Sequence, residues 1–176
     1  MQESFLGELT KTVDGLAKLP EVDAAQISGI LLQIGKAFGV KPDEVAVLAL
    51  SQGDKFLRFI VPEKLGKVGD LPLTSANSLA VRTVREKRPE VMNNFATARH
   101  PTVFEAVPLG QQRGEPIQKI MSAPISADNK ILGVLQISRK GKTASVSGPD
   151  FTPKDLGDLV SVANQIGRCL KRFVAI

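Results

Sequence analysis

The sequence predicts an α+β fold in which helices are layered on both faces of a central antiparallel sheet. Three observations carry this. Ile117 to Lys140, IQKIMSAPISADNKILGVLQISRK, has two runs rich in Ile, Val, Leu and Met flanking the polar segment Ala127-Asp128-Asn129-Lys130, which reads as a β-hairpin. Its second arm is apolar except at Gly133 and Gln136, as expected of a strand covered on both faces in the middle of a sheet. Helical stripes at the two ends of the chain supply a layer for one face, since a sheet with an apolar face must be covered.

From Ser4 to Leu19 the residues Leu6, Leu9, Val13 and Leu16 step by three and four, and Pro20 ends the helix. Such a short stripe docks on its own domain or on the same helix of a second copy. A second helix is expected from about Asp23 to Phe38, with Ile27, Ile30, Leu31 and Ile34 on one side and Gly39 as the stop. Glu44 to Ser51 and Lys55 to Val61 then read as strands joined by Gln52-Gly53-Asp54, and Pro62 to Pro72 reads as a loop.

Helical composition returns from about Ala76 to Lys87, with Thr74 or Ser75 available as the cap and Arg82 and Glu86 spaced as a surface pair. After Pro89, Glu90 to Met92 suffice for a short strand. About twenty residues of irregular character lead from there to the hairpin, a length typical of binding loops or lids. Pro124 cannot donate to a ladder and is expected to face an unpaired side or a bulge. The last helix opens at Phe151-Thr152-Pro153, with Thr152 as cap, and carries Leu156, Leu159, Ala163, Ile166, Leu170 and Phe173 at regular helical spacing. The middle helix and the long loop are left for the second face of the sheet.

A chain of 176 residues with 43% hydrophobic content fits one domain with a proper core. No apolar run approaches the roughly 20 residues of a membrane span, the N-terminus lacks a signal pattern, and Cys169 is the single cysteine. A cytoplasmic protein with no membrane partner is expected. The charge is +5, but the basic clusters have no interleaved Tyr or Trp and two of them fall at predicted helix ends, so nucleic acid is not expected as a partner.

Three pieces of the chain, in this order and spacing, resemble the GAF domain, a family of small-molecule sensor domains. They are Ser78 to Asn94, SLAVRTVREKRPEVMNN; Ser122 to Lys140, SAPISADNKILGVLQISRK; and Phe151 to Leu170 with its Phe-Thr-Pro-Lys-Asp-Leu opening. The resemblance covers about Asp23 to Arg172. It implies an antiparallel sheet of about five or six strands, with the terminal helices on one face and a ligand pocket on the other, under the middle helix and long loop. Residues 1–20 are then an N-terminal helix available for dimerisation, and 21–176 the GAF domain. The GAF domains of cyclic-nucleotide phosphodiesterases carry an Asn-Lys, Phe, Asp-Glu motif. Here Lys140, Phe151 and Asp155 match, while Arg139 replaces the Asn and Leu156 the Glu, which leaves a Lys140–Asp155 ion pair as an expected clamp between last strand and last helix.

Enzymatic chemistry is poorly provided for, and no cofactor is expected. One His and one Cys make no zinc set. Cys169 flanks the Ile166 and Leu170 stripe and reads as a small buried hydrophobe, and haem ligation would rest on His100 alone. The candidate ligand-binding residues are Asn93 and Asn94 at the mouth of the implied pocket, His100 as a group that titrates near neutrality, Phe104 as a cover, and Ser122 and Gln136 as polar interruptions of the apolar arms. Each has a plain structural alternative: a turn cap, a solvated loop residue, a satisfied backbone contact. Two functions follow as expectations. One is a sensor that binds a small molecule and reports through its terminal helices as a homodimer, to a separate signalling protein. The other is a protein interaction module with a closed, unliganded pocket.

Overall fold

The computed structural model describes residues 3–67, 69–98 and 114–173. Among these residues the order is α1 (Glu3–Ala17), α2 (Ala24–Phe38), a 3-10 turn (Pro42–Glu44), β1 (Val45–Leu50), β2 (Phe56–Val61), α3 (Glu63–Gly66) and β3 (Leu71–Pro72). There follow α4 (Leu79–Glu86), β4 (Glu90–Met92), a second 3-10 turn (Phe95–Thr97), β5 (Ile117–Ala127), β6 (Lys130–Lys140) and α5 (Pro153–Leu170).

The six strands form one sheet in the order β3-β2-β1-β6-β5-β4, antiparallel throughout. Its spine is the β5–β6 hairpin. Asp128 and Asn129 both take positive φ, 52° and 61°, which is the type I′ geometry that matches strand twist. β6 lies between β1 and β5, and Val134, Leu135 and Ile137 are fully buried, as its apolar run predicts. Pro124 falls beyond the end of β4, which pairs only with Ile120 to Ser122, and next to an irregularity at Ile125/Ser126.

Strand alternation sorts the side chains into two cores. Val45, Val47, Met121, Ile125, Leu135 and Ile137 join Leu9, Val13, Ile27, Ile34, Leu159 and Ile166 of α1, α2 and α5. Leu48, Leu57, Phe59 and Val134, on the other face, pack against Ala80, Val81 and Val84 of α4. The helix ends are set by local chemistry. Asp23 and Gln26 form a capping box on α2 and Gly39 stops it in the left-handed region, while Thr152 and Asp155 form the box on α5 behind Pro153.

The terminal stripes are spent inside the chain. Leu9, Val13, Leu159, Ala163 and Ile166 have no exposed surface, and α1 meets α5 through a 3.1 Å contact between Thr10 Oγ1 and the Gln165 side-chain amide and through an Asp14–Arg168 ion pair. α1 therefore shares the core of residues 21–173.

Several local expectations are corrected. The cap of α4 is Ser78, whose Oγ accepts from Val81 N, and not Thr74 or Ser75. The 62–72 region holds α3 and the edge strand β3 where a loop is predicted. Arg82 reaches across to Glu90 and leaves Glu86 to Arg88, because β4 brings a carboxylate to the partly buried side of α4. Lys140 does not clamp Asp155. Its Nζ pairs with Asp43 at 3.1 Å, while Asp155 is committed to the Thr152 capping box.

Candidate functional site

The face of the sheet opposite the terminal helices carries buried polar side chains under α4. Ser122 and Gln136, on neighbouring strands in register, both point there and are 0% and 4% exposed. Thr83, from α4, meets them. Thr83 Oγ1 donates to Leu79 O at 2.9 Å, so its single proton is used, and Ser122 Oγ must donate to Thr83 Oγ1 across the 2.7 Å between them. Gln136 Nε2 in turn donates to Ser122 Oγ at 3.3 Å. The chain from Gln136 through Ser122 and Thr83 to the Leu79 carbonyl commits both hydroxyl protons to protein partners.

Beside this chain, toward the head of α4, is a recess of about 210 Å³ including its open mouth. Ala76, Asn77, Ser78 and Leu79 form one wall and Met92 and Phe95 another, with Arg82 at the rim. Leu79 and Phe95 pack on Ile120 of β5 beneath it. The Arg82 fork grips Glu90 through Nε at 3.0 Å and Nη2 at 2.7 Å, and Nη2 also lies 3.5 Å from Met92 Sδ. Arg82 Nη1 makes no hydrogen bond among the described residues. The site therefore offers small apolar walls, one anchored cation and two guanidinium N–H groups without a partner among the described residues.

Of the residues singled out from sequence, the structure brings Ser122 and Gln136 together and sends Asn93 elsewhere. Asn93 lies on the opposite face of β4, where its Nδ2 donates to Phe151 O at 3.0 Å and its Oδ1 accepts from Phe151 N at 2.9 Å. Asn94 is exposed and leads into the second 3-10 turn, its carbonyl accepting from Thr97 N and Ala98 N. His100 and Phe104 lie outside the described residues. Sequence reasoning missed Arg82, Thr83, Met92 and Phe95. Thr83 carried a signal, as a polar residue inside the apolar side of a short helix; the others depend on where β4 lands.

Cys169 is fully buried, and that burial pushes its thiol up to about 11, the opposite of an activated nucleophile. Among the described residues no three His, Cys, Asp or Glu side chains converge as a metal site, and no helix is long and apolar enough to cross a membrane.

Comparison with known proteins agrees with this architecture. The fold superposes on the GAF domain of a phosphoenolpyruvate-protein phosphotransferase from Acinetobacter with a TM-score of 0.66 at 16% identity, covering 97% of this chain and 95% of that one. The GAF domain of the Coxiella burnetii phosphoenolpyruvate-protein phosphotransferase gives 0.69 at 13% identity, over 96% and 91% of the two chains. Free methionine-R-sulfoxide reductase from Neisseria meningitidis, an enzyme solved with its substrate, gives 0.62 at 10% identity, over 93% and 86%. A search of curated proteins returns no match. The sequence model of the GAF domain matches residues 8–170, and with the strand order and the site lying under α4, the chain belongs to the GAF domain family.

Proposed function

We propose that this protein is a non-catalytic small-molecule sensor whose ligand sits in the recess at the head of α4. The observation that carries the reading is Arg82. Its fork is held by Glu90, yet Nη1 remains without a partner among the described residues at the rim of a pocket walled by Leu79, Met92 and Phe95. The enclosed part of the recess holds no more than about one water, so a small metabolite with an acceptor group for Arg82 enters only by widening it. Membership in a family that commonly serves signalling supports a sensing role, with output to a separate protein in the cytoplasm. The buried, unreactive thiol of Cys169 supports a non-catalytic role.

A second reading is an interaction module with a closed pocket, and the Gln136–Ser122–Thr83–Leu79 chain favours it, because ligand access deeper under α4 must break those bonds. Native mass spectrometry of protein purified from cells, compared with its denatured mass, separates the two. A retained small-molecule mass that disappears in Arg82→Ala supports the sensor; a clean unliganded mass supports the module. Homodimerisation through the terminal helices belongs to both readings, and light scattering at twice 18.9 kDa is its test.

A further inference from the structure

We infer that β4 mechanically couples the recess to the start of α5, so that occupancy of the one alters the stability of the other. This rests on the reading of the recess as the ligand seat. β4 has three residues, is an edge strand, and is tied to the sheet by the pairs Glu90↔Ser122, Val91↔Met121 and Met92↔Ile120. Alternation gives its two sides different duties. Glu90 and Met92 lie on the α4 side, Glu90 gripping Arg82 and Met92 forming a wall of the recess. Val91 packs into the core of the terminal helices.

The next residue, Asn93, completes the link. Its side-chain amide acts like a strand partner, satisfying both backbone polar groups of Phe151 at 3.0 and 2.9 Å. The amide orientation is fixed, because Phe151 N can only donate and Phe151 O can only accept. Phe151 immediately precedes Thr152, the cap of α5. It is also immobilised on its own account: Phe151 is 3% exposed and its ring centroid lies 4.7 Å from the Arg139 guanidinium. A displacement of β4 must therefore either carry Phe151 and the cap with it or break both Asn93 bonds. A ligand acceptor on Arg82 Nη1 shares one guanidinium with Glu90, held by Nε and Nη2, which supplies the differential contact that a coupled equilibrium requires.

The coupling is testable by amide exchange on the full chain without any ligand. The Phe151 N–H is donated to Asn93, so it reads the clamp; Asp155 N–H and Leu156 N–H, held by Thr152, read the cap. Arg82→Ala removes the grip on Glu90, and Arg82→Lys serves as a second variant that keeps the charge without the fork. Rates are taken relative to Leu135, in the sheet core, to remove any change in global stability. The expected result is that exchange at Phe151, Asp155 and Leu156 rises by about fivefold or more, and that Arg82→Ala adds no further rise in an Asn93→Ala background. Two results overturn the inference: unchanged exchange at these three amides in both Arg82 variants, or a rise that persists undiminished in Asn93→Ala. Native mass spectrometry showing no retained ligand would remove the sensor reading and leave this exchange result standing, so the two can fail separately.

Discussion

Gly167 of α5 rests directly on the Ser126 carbonyl at the end of β5, and a Cβ at residue 167 would overlap that oxygen. The contact is backbone on backbone, so neither partner can turn aside as a side chain would. Gly167→Ala is expected to destabilise the protein by about 2 kcal/mol or more, through displacement of α5 from the hairpin. Gly157→Ala, in the same helix where a Cβ meets open space, is the control and should be stabilising by about 0.5–1 kcal/mol. Urea midpoints of the two variants measured together check the sign of each.

Glu44 predicts a larger effect than its position in a short turn suggests. Only 6% exposed, it accepts Lys41 N on Oε2 and Lys140 N on Oε1, both at 2.7 Å, and so ties the 3-10 turn to the end of β6. Glu44→Gln turns an NH2 toward one of these N–H groups and is expected to cost about 1.5–3 kcal/mol, the scale of a hydrogen bond to a charged group. Asp43→Asn, which loses the exposed pair with Lys140, should stay within about 1 kcal/mol. Chemical denaturation of the two single variants discriminates them.

That contrast also explains what was legible in the sequence. Helix stripes, the Asp128-Asn129 turn, Gly39 and the Thr152 cap rest on local periodicity and local backbone chemistry, and the structure contains each of them. The polar partners were not legible, because spacing along the chain does not say which element arrives alongside. Arg82 and Glu86 stand four apart on α4, yet Glu90 captures Arg82 once β4 is paired to β5. Lys140 meets Asp43 and not Asp155 because β6 pairs with β1, which follows directly on the turn that carries Asp43. Within the candidate site, Ser122 and Gln136 could be found as polar breaks in apolar strands. Asn93 gave no sign that its amide would be used by Phe151, 58 residues on.

Arg58 and Asp70 give a pH dependence. The hydrogen-bonded Arg58 guanidinium, 2.6 Å away through Nε and 2.8 Å through Nη2, holds the Asp70 carboxyl below the usual aspartate range. A depressed folded-state value contributes stability that is present above the unfolded-state value and lost as pH falls through the folded one. Wild type should therefore exceed Asp70→Asn in stability at neutral pH, and the difference should shrink only on the acid side of the ordinary aspartate value. The pair is partly exposed, so the difference is expected to be small and to weaken with salt. Thermal unfolding of both proteins across an acid titration, at low and high salt, provides the check.

The buried chain under α4 yields the last prediction. Ser122→Ala leaves Gln136 Nε2 without its acceptor at a position only 4% exposed, and removes the donor to Thr83 Oγ1. Thr83 keeps its own bond to the Leu79 carbonyl, so α4 remains helical and the orphan is Gln136. An unsatisfied buried amide donor costs about 1–3 kcal/mol, whereas replacing both partners by apolar groups can be nearly neutral. Ser122→Ala alone should therefore be less stable than wild type by about that amount. Adding Gln136→Leu should restore part of the loss, giving a favourable interaction energy in the double-mutant cycle. If the double variant is instead less stable than the sum of the singles, Gln136 has a second role that the Ser122 bond does not describe.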